Sequence, residues 1–428
     1  MRHRAADGKP RICMLLRTSV LRNPRVTKQA RSLVEAGWDV QVVSMGVPGE
    51  DRRVEEHPAG FTILRTRPGL RARWRQRATE KRDRAAKKGG APSSPATPPY
   101  NPGRLRVVLL LLSRFLVMLR MLPLVRRSRP DVVLAHNVGT LLTGWLACRL
   151  TGARLAYDAH EVNLDREGYY QKLKLPIRLV EGCLLPRCDL AITTTAMRAR
   201  HFRRVYRLER APAVFENRPH VAAAAGIASL NDSSHLREVL GLAADQVIAL
   251  YQGGLQEGRG LHNMVRALAR VEGLDLVFLG DGPQAATLHS LAEELGVAGR
   301  VHMPGNIALD ELLQWTASAD MGLQLLRNTS FNHYSTDSNK IFEYGVAGIP
   351  VIASDFPEIR RIVRRHDYGL LVDPHDVSAI AGAMQRLVDD EALRLRLRDN
   401  ARRASPDLSW QAVENEYVAS IRALLPDL

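Results

Sequence analysis

The stretch VIALYQGGLQEGRGLHNMVRAL, residues 247–268, decides the fold. VIALYQG (247–253) is a mostly apolar run of strand length, and Gly253, Gly254, Gly258 and Gly260 let the chain turn tightly into a helical pattern. Working outward, the same alternation recurs almost throughout. The second half carries further strand-like runs at 274–282, 300–305, 321–326, 350–354 and 369–373. The first half carries them at 11–16, 39–45, 61–66, 131–137, 154–161, 190–195 and 213–219. Strands that alternate with helices imply βαβ units and parallel sheets. A chain of 428 residues also exceeds what one hydrophobic core usually holds. The rhythm breaks at 220–242. The expected fold class is α/β, with two doubly wound, Rossmann-like parallel-sheet domains facing across a cleft. They are expected over 1–225 and 226–408, with a last helix over 409–428 crossing back to the first domain.

Apolar residues at 45% and charged residues at 25% fit a soluble globular chain. Four cysteines are too few for a disulfide scaffold, and Cys183 and Cys188 lack zinc-site spacing, so reduced, buried thiols in a cytoplasmic setting are expected. The amino terminus shows no signal-peptide pattern. The net charge of +16 is concentrated: residues 65–88 hold eleven Lys/Arg against Glu80 and Asp83, more than half the excess. A Gly/Pro/Ser-rich stretch follows, so 67–103 is expected as a basic flexible insertion. The apolar run 105–127 is interrupted by Arg114, Arg120 and Pro123, which argues against a membrane span. It reads either as a buried helix or as a helix lying on an anionic membrane surface beside the basic loop. Trp74 is the only aromatic in the basic run and no nucleic-acid motif accompanies it, so no nucleic-acid partner is expected.

In open parallel sheets ligands bind beyond the carboxyl ends of the strands, and the candidate chemistry lies there. After VIALYQG, the glycines permit close backbone approach and Arg259 stands beside a helix start, where an anion such as a diphosphate is favoured; an ordinary turn with a solvated arginine has the same appearance. FLGDGP (278–283) brackets Asp281 with Gly280 and Gly282, as a nucleotide contact or as a plain tight turn. In SNKIFEYGVAGIPVIASD (338–355), Ser338 or Asn339 can cap a helix whose first turn carries Lys340, with Glu343 about one turn on. A carboxylate there can accept both ribose hydroxyls, or can be a surface acid. In the first half, strand ends deliver His136 with Asn137, and Asp158, His160 and Glu161, as exposed functional groups or turn caps. The loop after the first strand carries Arg22 and Arg25. No metal-ligand cluster is visible in the sequence.

Taken together and in this order, YQGGLQEGRGL, FLGDGP, SNKIFEYGVAGIPVIASD and YGLLVDPHD resemble the donor-binding half of the retaining glycosyltransferases of family 4 (glycosyltransferase group 1), which have the GT-B fold. RNPRVTKQARSLVEAGWDVQVVS and YDAHE resemble their acceptor half. The resemblance covers roughly residues 11–66 and 130–425. It implies that Arg259 neutralises the donor diphosphate, that Glu343 holds the ribose and that His136 faces the transferred sugar. It further implies a nucleotide-diphosphate sugar as substrate, no cofactor and no metal. Ser335 stands where the family's first glutamate would fall, and no arginine stands beside the first glycine of YQGG. The acceptor expected is lipid-linked or a polysaccharide, at the inner face of the cell membrane. The competing functions are a non-catalytic nucleotide-sugar or membrane-binding protein and a nucleotide-sugar epimerase.

Overall fold

RICMLL forms the first strand, β1 (Arg11–Leu16), and Ile12 to Leu16 are all buried. Such continuous apolar runs mark strands covered on both faces. The structure is a computed structural model that describes residues 8–21, 23–46, 52–66, 104–165, 173–221, 234–308 and 311–426, with only the backbone of 104–114 and 117. The chain packs as two units, one of Met1–Phe215 with Glu414–Leu428 and one of Glu216–Val413.

The first unit holds an eight-stranded sheet. After β1 come β2 (Asp39–Met45), β3 (Val54–Glu56), β4 (Thr62–Thr66), β5 (Val132–His136), β6 (Arg154–Ala159), β7 (Leu190–Thr193) and β8 (Ala213–Val214). The order is β3-β4-β2-β1-β5-β6-β7-β8, parallel except where β3 runs antiparallel along β4. The strand expected over 213–219 stops at Val214; beyond it Glu216 forms ion pairs with Arg218 and Arg361 of the second unit. The boundary therefore falls at 215/216, not 225/226.

The apolar run after the basic insertion is a helix, Arg104–Ser128. Its Met121 and Val125 pack with Cys13, Leu15, Val43, Val133 and Ala147, while Phe115, Leu116 and Leu119 are exposed. Among the described residues no helix is long and apolar enough to cross a membrane. Residues 67–103 lie outside the description, as does Arg22.

The second unit holds β9 (Val247–Gln252), β10 (Leu274–Leu279), β11 (Val301–Gly305), β12 (Met321–Gln324), β13 (Val351–Ser354) and β14 (Gly369–Val372), all parallel, in the order β11-β10-β9-β12-β13-β14. This is the doubly wound order, which reverses between β9 and β12 and opens a crevice beyond their carboxyl ends. Alternate residues of β9 feed opposite cores. Val247, Ala249 and Tyr251 pack with the helix Leu261–Leu268, and Ile248 and Leu250 with Ile341, Phe342 and Tyr344. Each fully buried aliphatic side chain contributes about 1.5–3 kcal/mol. Close approach at the β9 end requires glycine at two points. A Cβ on Gly260 (φ +76) would lie 2.0 Å from the Leu325 carbonyl oxygen, and one on Gly280 (φ +144) would lie 2.2 Å from that of Gly253.

Candidate functional site

In the second unit, Gln252 ends β9 with its side chain buried. Its Nε2 donates to Glu343 Oε2 at 2.6 Å, and its Oε1 accepts from the Thr316 hydroxyl at 2.7 Å. Glu343 lies on the helix Asn339–Val346. The next residue, Tyr344, is fully buried with its hydroxyl against the Gln252 amide and the Leu250 and Leu323 carbonyls. The helix thus cannot rotate without tearing Tyr344 from the core, and Glu343 stays fixed at the crevice.

Lys340, one turn before Glu343, lays its ammonium 5.1 Å from the Tyr251 ring centroid, within cation–π range. It lies 3.3 Å from where a Cβ on Gly253 would sit. Burial pulls its pKa down to about 8, Arg259 adds to the effect and Glu343 opposes it. Among the described residues no carboxylate comes within ion-pair distance of Arg259 or Lys340. Two cations, a glycine turn and one anchored carboxylate thus meet at the switch point of the sheet, a set suited to a diphosphate and a diol.

Other expected donor-side residues behave differently. Ser338 occupies the N-cap position, but its side chain makes no cap bond and its backbone is left-handed at φ +48. Asn339 is exposed and its Oδ1 accepts from Asn217 Nδ2 at 2.8 Å. Asp281 turns back on its own loop, accepting from the Gly282 amide at 2.6 Å, as a tight-turn residue does. Gly282 is packed against the Leu255 backbone, and Gly254 is exposed. Ser335 is fully buried, with its amide bonded to the Phe331 carbonyl at 2.8 Å.

In the first unit, Asn23 caps the helix Pro24–Glu35 through its Oδ1 and Pro24 starts it, which sends Arg25 and Gln29 inward one turn apart. Both reach Asp158, which pairs in register with His136 on the neighbouring strand. Arg25 binds the carboxylate with Nε and Nη2, each at 2.9 Å, and Gln29 Nε2 adds a third bond at 2.9 Å. Arg25 Nη1 also donates to the Phe215 carbonyl at 3.0 Å. Burial alone would raise the Asp158 pKa, but the Arg25 guanidinium and the two histidines outweigh it and hold the carboxyl well below the usual carboxylate range.

His136 is buried, not exposed as the sequence suggests. Burial brings its pKa down to about 4 against the pull of Asp158, so the ring is neutral at pH 7. Its Nδ1 lies 3.2 Å from His160 Nε2, and His160 Nδ1 lies 3.2 Å from Asn137 Nδ2. Asn137 holds a left-handed backbone, φ +64 and ψ 161, a conformation that costs about 1–3 kcal/mol and is maintained only by its surroundings. Glu161 offers its carbonyl to Asn163 Nδ2.

His136, Asp158 and His160 bring three ligand atoms within 4.8 Å of one another, a cluster the sequence does not reveal. Asp158 is nonetheless committed to Arg25 and Gln29, and a guanidinium already supplies the positive charge that a metal would bring. The donor set therefore fits an ion poorly. Cys183 is exposed, contrary to expectation, while Cys13 is buried. Sequence reasoning also missed Gln252 and Gln29; a glutamine closing an otherwise apolar strand was the available signal for the first.

The family model described as "Glycosyl transferase 4-like domain" matches residues 23–217, and that described as "Glycosyl transferases group 1" matches 232–404. A similar relative is the lipopolysaccharide core biosynthesis glycosyltransferase LpsE of Rhizobium meliloti, 31% identical over 183 residues, 42% of this chain. The matched stretch spans about half of that relative, 52% of its length. Among solved structures, sucrose-phosphate synthase from Thermosynechococcus elongatus superposes with a TM-score of 0.74 at 19% identity, covering 98% of this chain and 100% of that one. Anabaena Alr3699/HepE in complex with UDP superposes at 0.67 and 15% identity, covering 96% and 100%. Two parallel-sheet units, each matched by its own half of the family, leave one assignment: the chain belongs to the group 1 glycosyltransferases and carries their GT-B fold.

Proposed function

We propose that the chain is a retaining glycosyltransferase that moves a sugar from a nucleoside-diphosphate donor to a hydroxyl of a lipid-linked or polysaccharide acceptor, without a metal ion. The observation that carries this reading is the pair Arg259 and Lys340 beside the Gly253 turn, with Glu343 anchored by Gln252 in the same crevice. The two cations and the helix amides stabilise the departing diphosphate as the glycosidic bond breaks. Glu343 takes the ribose hydroxyls. The acceptor hydroxyl attacks on the face that the leaving phosphate vacates, and its proton passes to that phosphate, so the anomeric configuration is kept. His136 contacts the sugar and forms no covalent bond with it.

The solved UDP complex of Anabaena HepE supports a uridine nucleotide as the first donor to try, and the Rhizobium LpsE likeness supports a lipid-borne saccharide acceptor. The test is thermal shift with a panel of nucleotide sugars, followed by transfer to saccharide acceptors. A donor at a hundred times its Kd stabilises the chain by about 2.7 kcal/mol. No shift with any nucleotide sugar overturns the reading; sugar conversion without an acceptor would instead identify an epimerase.

The affinity for a nucleoside diphosphate should also depend on pH. Lys340 carries its charge below a pKa of about 8, so binding is strongest below that value and weakens as pH rises through it. Titration of UDP between pH 7 and pH 9 by calorimetry checks this, and a flat profile removes Lys340 from the site.

Action at the inner face of the membrane, as a peripheral cytoplasmic protein, is supported by the basic segment 65–88 and by exposed Phe115, Leu116 and Leu119. The chain should co-sediment with vesicles containing anionic lipid and lose that binding when residues 67–103 are deleted. Unchanged binding in the deletion would sink the peripheral reading.

A further inference from the structure

The histidine cluster of the first unit contains more order than sugar contact requires. His136 Nδ1 and His160 Nε2 face each other at 3.2 Å, so one proton lies between them; two would repel and none would leave two lone pairs opposed. The position of that proton follows from the far side of His160. There the Asn137 amide nitrogen, which can only donate, points at His160 Nδ1 at 3.2 Å. His160 Nδ1 must then be the bare nitrogen, and the His160 proton sits on Nε2. It is given to His136 Nδ1, which makes His136 Nδ1 the acceptor and leaves the His136 proton on Nε2. The carboxylate of Asp158 lies farther from either ring nitrogen than the two nitrogens lie from each other. Its Oδ2 already accepts from Arg25 Nε and Gln29 Nε2, and the two histidine nitrogens stand off at 3.4 and 3.5 Å. His136 Nε2 is itself buried, with no hydrogen-bond partner among the described residues.

We propose that Asn137 and His160 are positioning residues that fix the proton of His136 on Nε2, so that the one ring atom of His136 left for a substrate is a hydrogen-bond donor. This deepens the transferase reading and rests on it for its chemistry. A donor at that atom recognises an oxygen of the sugar and stabilises negative charge developing there. It cannot take the proton of an attacking hydroxyl, so deprotonation of the acceptor is left to the departing phosphate. The left-handed backbone at Asn137 is then explained as what aims its amide at His160.

The test uses the full chain labelled with ¹⁵N-histidine, without substrate, in a two-bond proton–nitrogen correlation spectrum near neutral pH. The His136 ring is assigned by its loss in His136→Gln. In the wild type its Nε2 should appear protonated and its Nδ1 bare. In His160→Leu the donor to Nδ1 is gone and the nearest remaining group is the Asp158 carboxylate, an acceptor, so the proton should move to Nδ1 and the two nitrogen signals exchange character. A merely structural His160 would leave the tautomer where it was. A proton on Nδ1 in the wild type, or on Nε2 in both proteins, overturns the proposal. So does a stoichiometric shift of both rings on adding zinc ions, which would make the cluster a metal site. Failure of the wild type to transfer sugar, with Nε2 protonated, would sink the transferase reading and leave the relay standing.

Discussion

Arg25→Met should destabilise the first unit by about 3–5 kcal/mol, because it strands the carboxylate of Asp158 in an interior with no cation. Asp158 is 0% exposed, and Gln29 alone cannot replace a two-pronged guanidinium. The pH dependence separates this cause from lost packing. In the wild type the Asp158 pKa is depressed, so its contribution is present above the carboxylate's unfolded value and is lost as pH falls through the folded one. In the variant the folded pKa lies above the unfolded value, and the acid protonates readily. The gap between the two proteins should therefore be widest near pH 7 and narrow on acidification towards pH 4. The double variant Arg25→Met with Asp158→Leu should recover part of the loss, since no charge remains to be stranded. Urea titrations at several pH values measure all of this; a pH-independent deficit under 1 kcal/mol would show that the pair is not what holds the strand ends in place.

Arg259→Ala and Glu343→Gln should each lower kcat/KM for transfer by at least about 100-fold with the fold intact. Removing a preorganised group that faces developing charge typically costs about 10²–10³ in rate, and among the described residues no carboxylate lies within ion-pair distance of Arg259. Glutamine is the informative change at 343. It still offers Gln252 an acceptor, so the buried amide stays satisfied, but it loses the charge proposed to bind both ribose hydroxyls. The two variants should differ in kind. Arg259→Ala should act mainly on kcat, and Glu343→Gln mainly on KM with a matching drop in nucleotide affinity. Near-normal transfer by both, with unchanged melting temperature, would remove the crevice beyond β9 and β12 as the donor site.

What could be read from the chain and what could not have different physical origins. RICMLL, VIALYQ and LDLVFL announced themselves because a parallel strand buried on both faces must be apolar along its length. Val54–Glu56 did not, since an edge strand of two acids and an exposed valine carries no burial signal. The run 213–219 looked like a longer strand because nothing local says that Glu216 will meet Arg361, 145 residues away. The candidate site divides the same way. Lys340 and Glu343 were visible because a helix start and a following glycine and proline locate them. The clamp on Asp158 was not, because Arg25 and Gln29 are brought to it across 133 and 129 residues by the sheet order alone. Asn137 was visible only as a neighbour of His136; its left-handed backbone has no sequence signature in a residue other than glycine.

The first unit is not a continuous length of chain. Phe215 stacks edge-on against Tyr417 at 5.4 Å, and Tyr417, Ile421 and Leu425 are buried in the segment Glu414–Leu428, which completes a unit whose other segment ends at Phe215. A ribosome delivers the amino-terminal sheet first, yet the residues that seal it arrive only after the whole of Glu216–Val413 has been made. The second unit can close as soon as it is synthesised, whereas the first must wait with an aromatic slot open. The half that is synthesised first is thus the half whose chain is completed last, and apolar surface left open during such an interval favours misassembly.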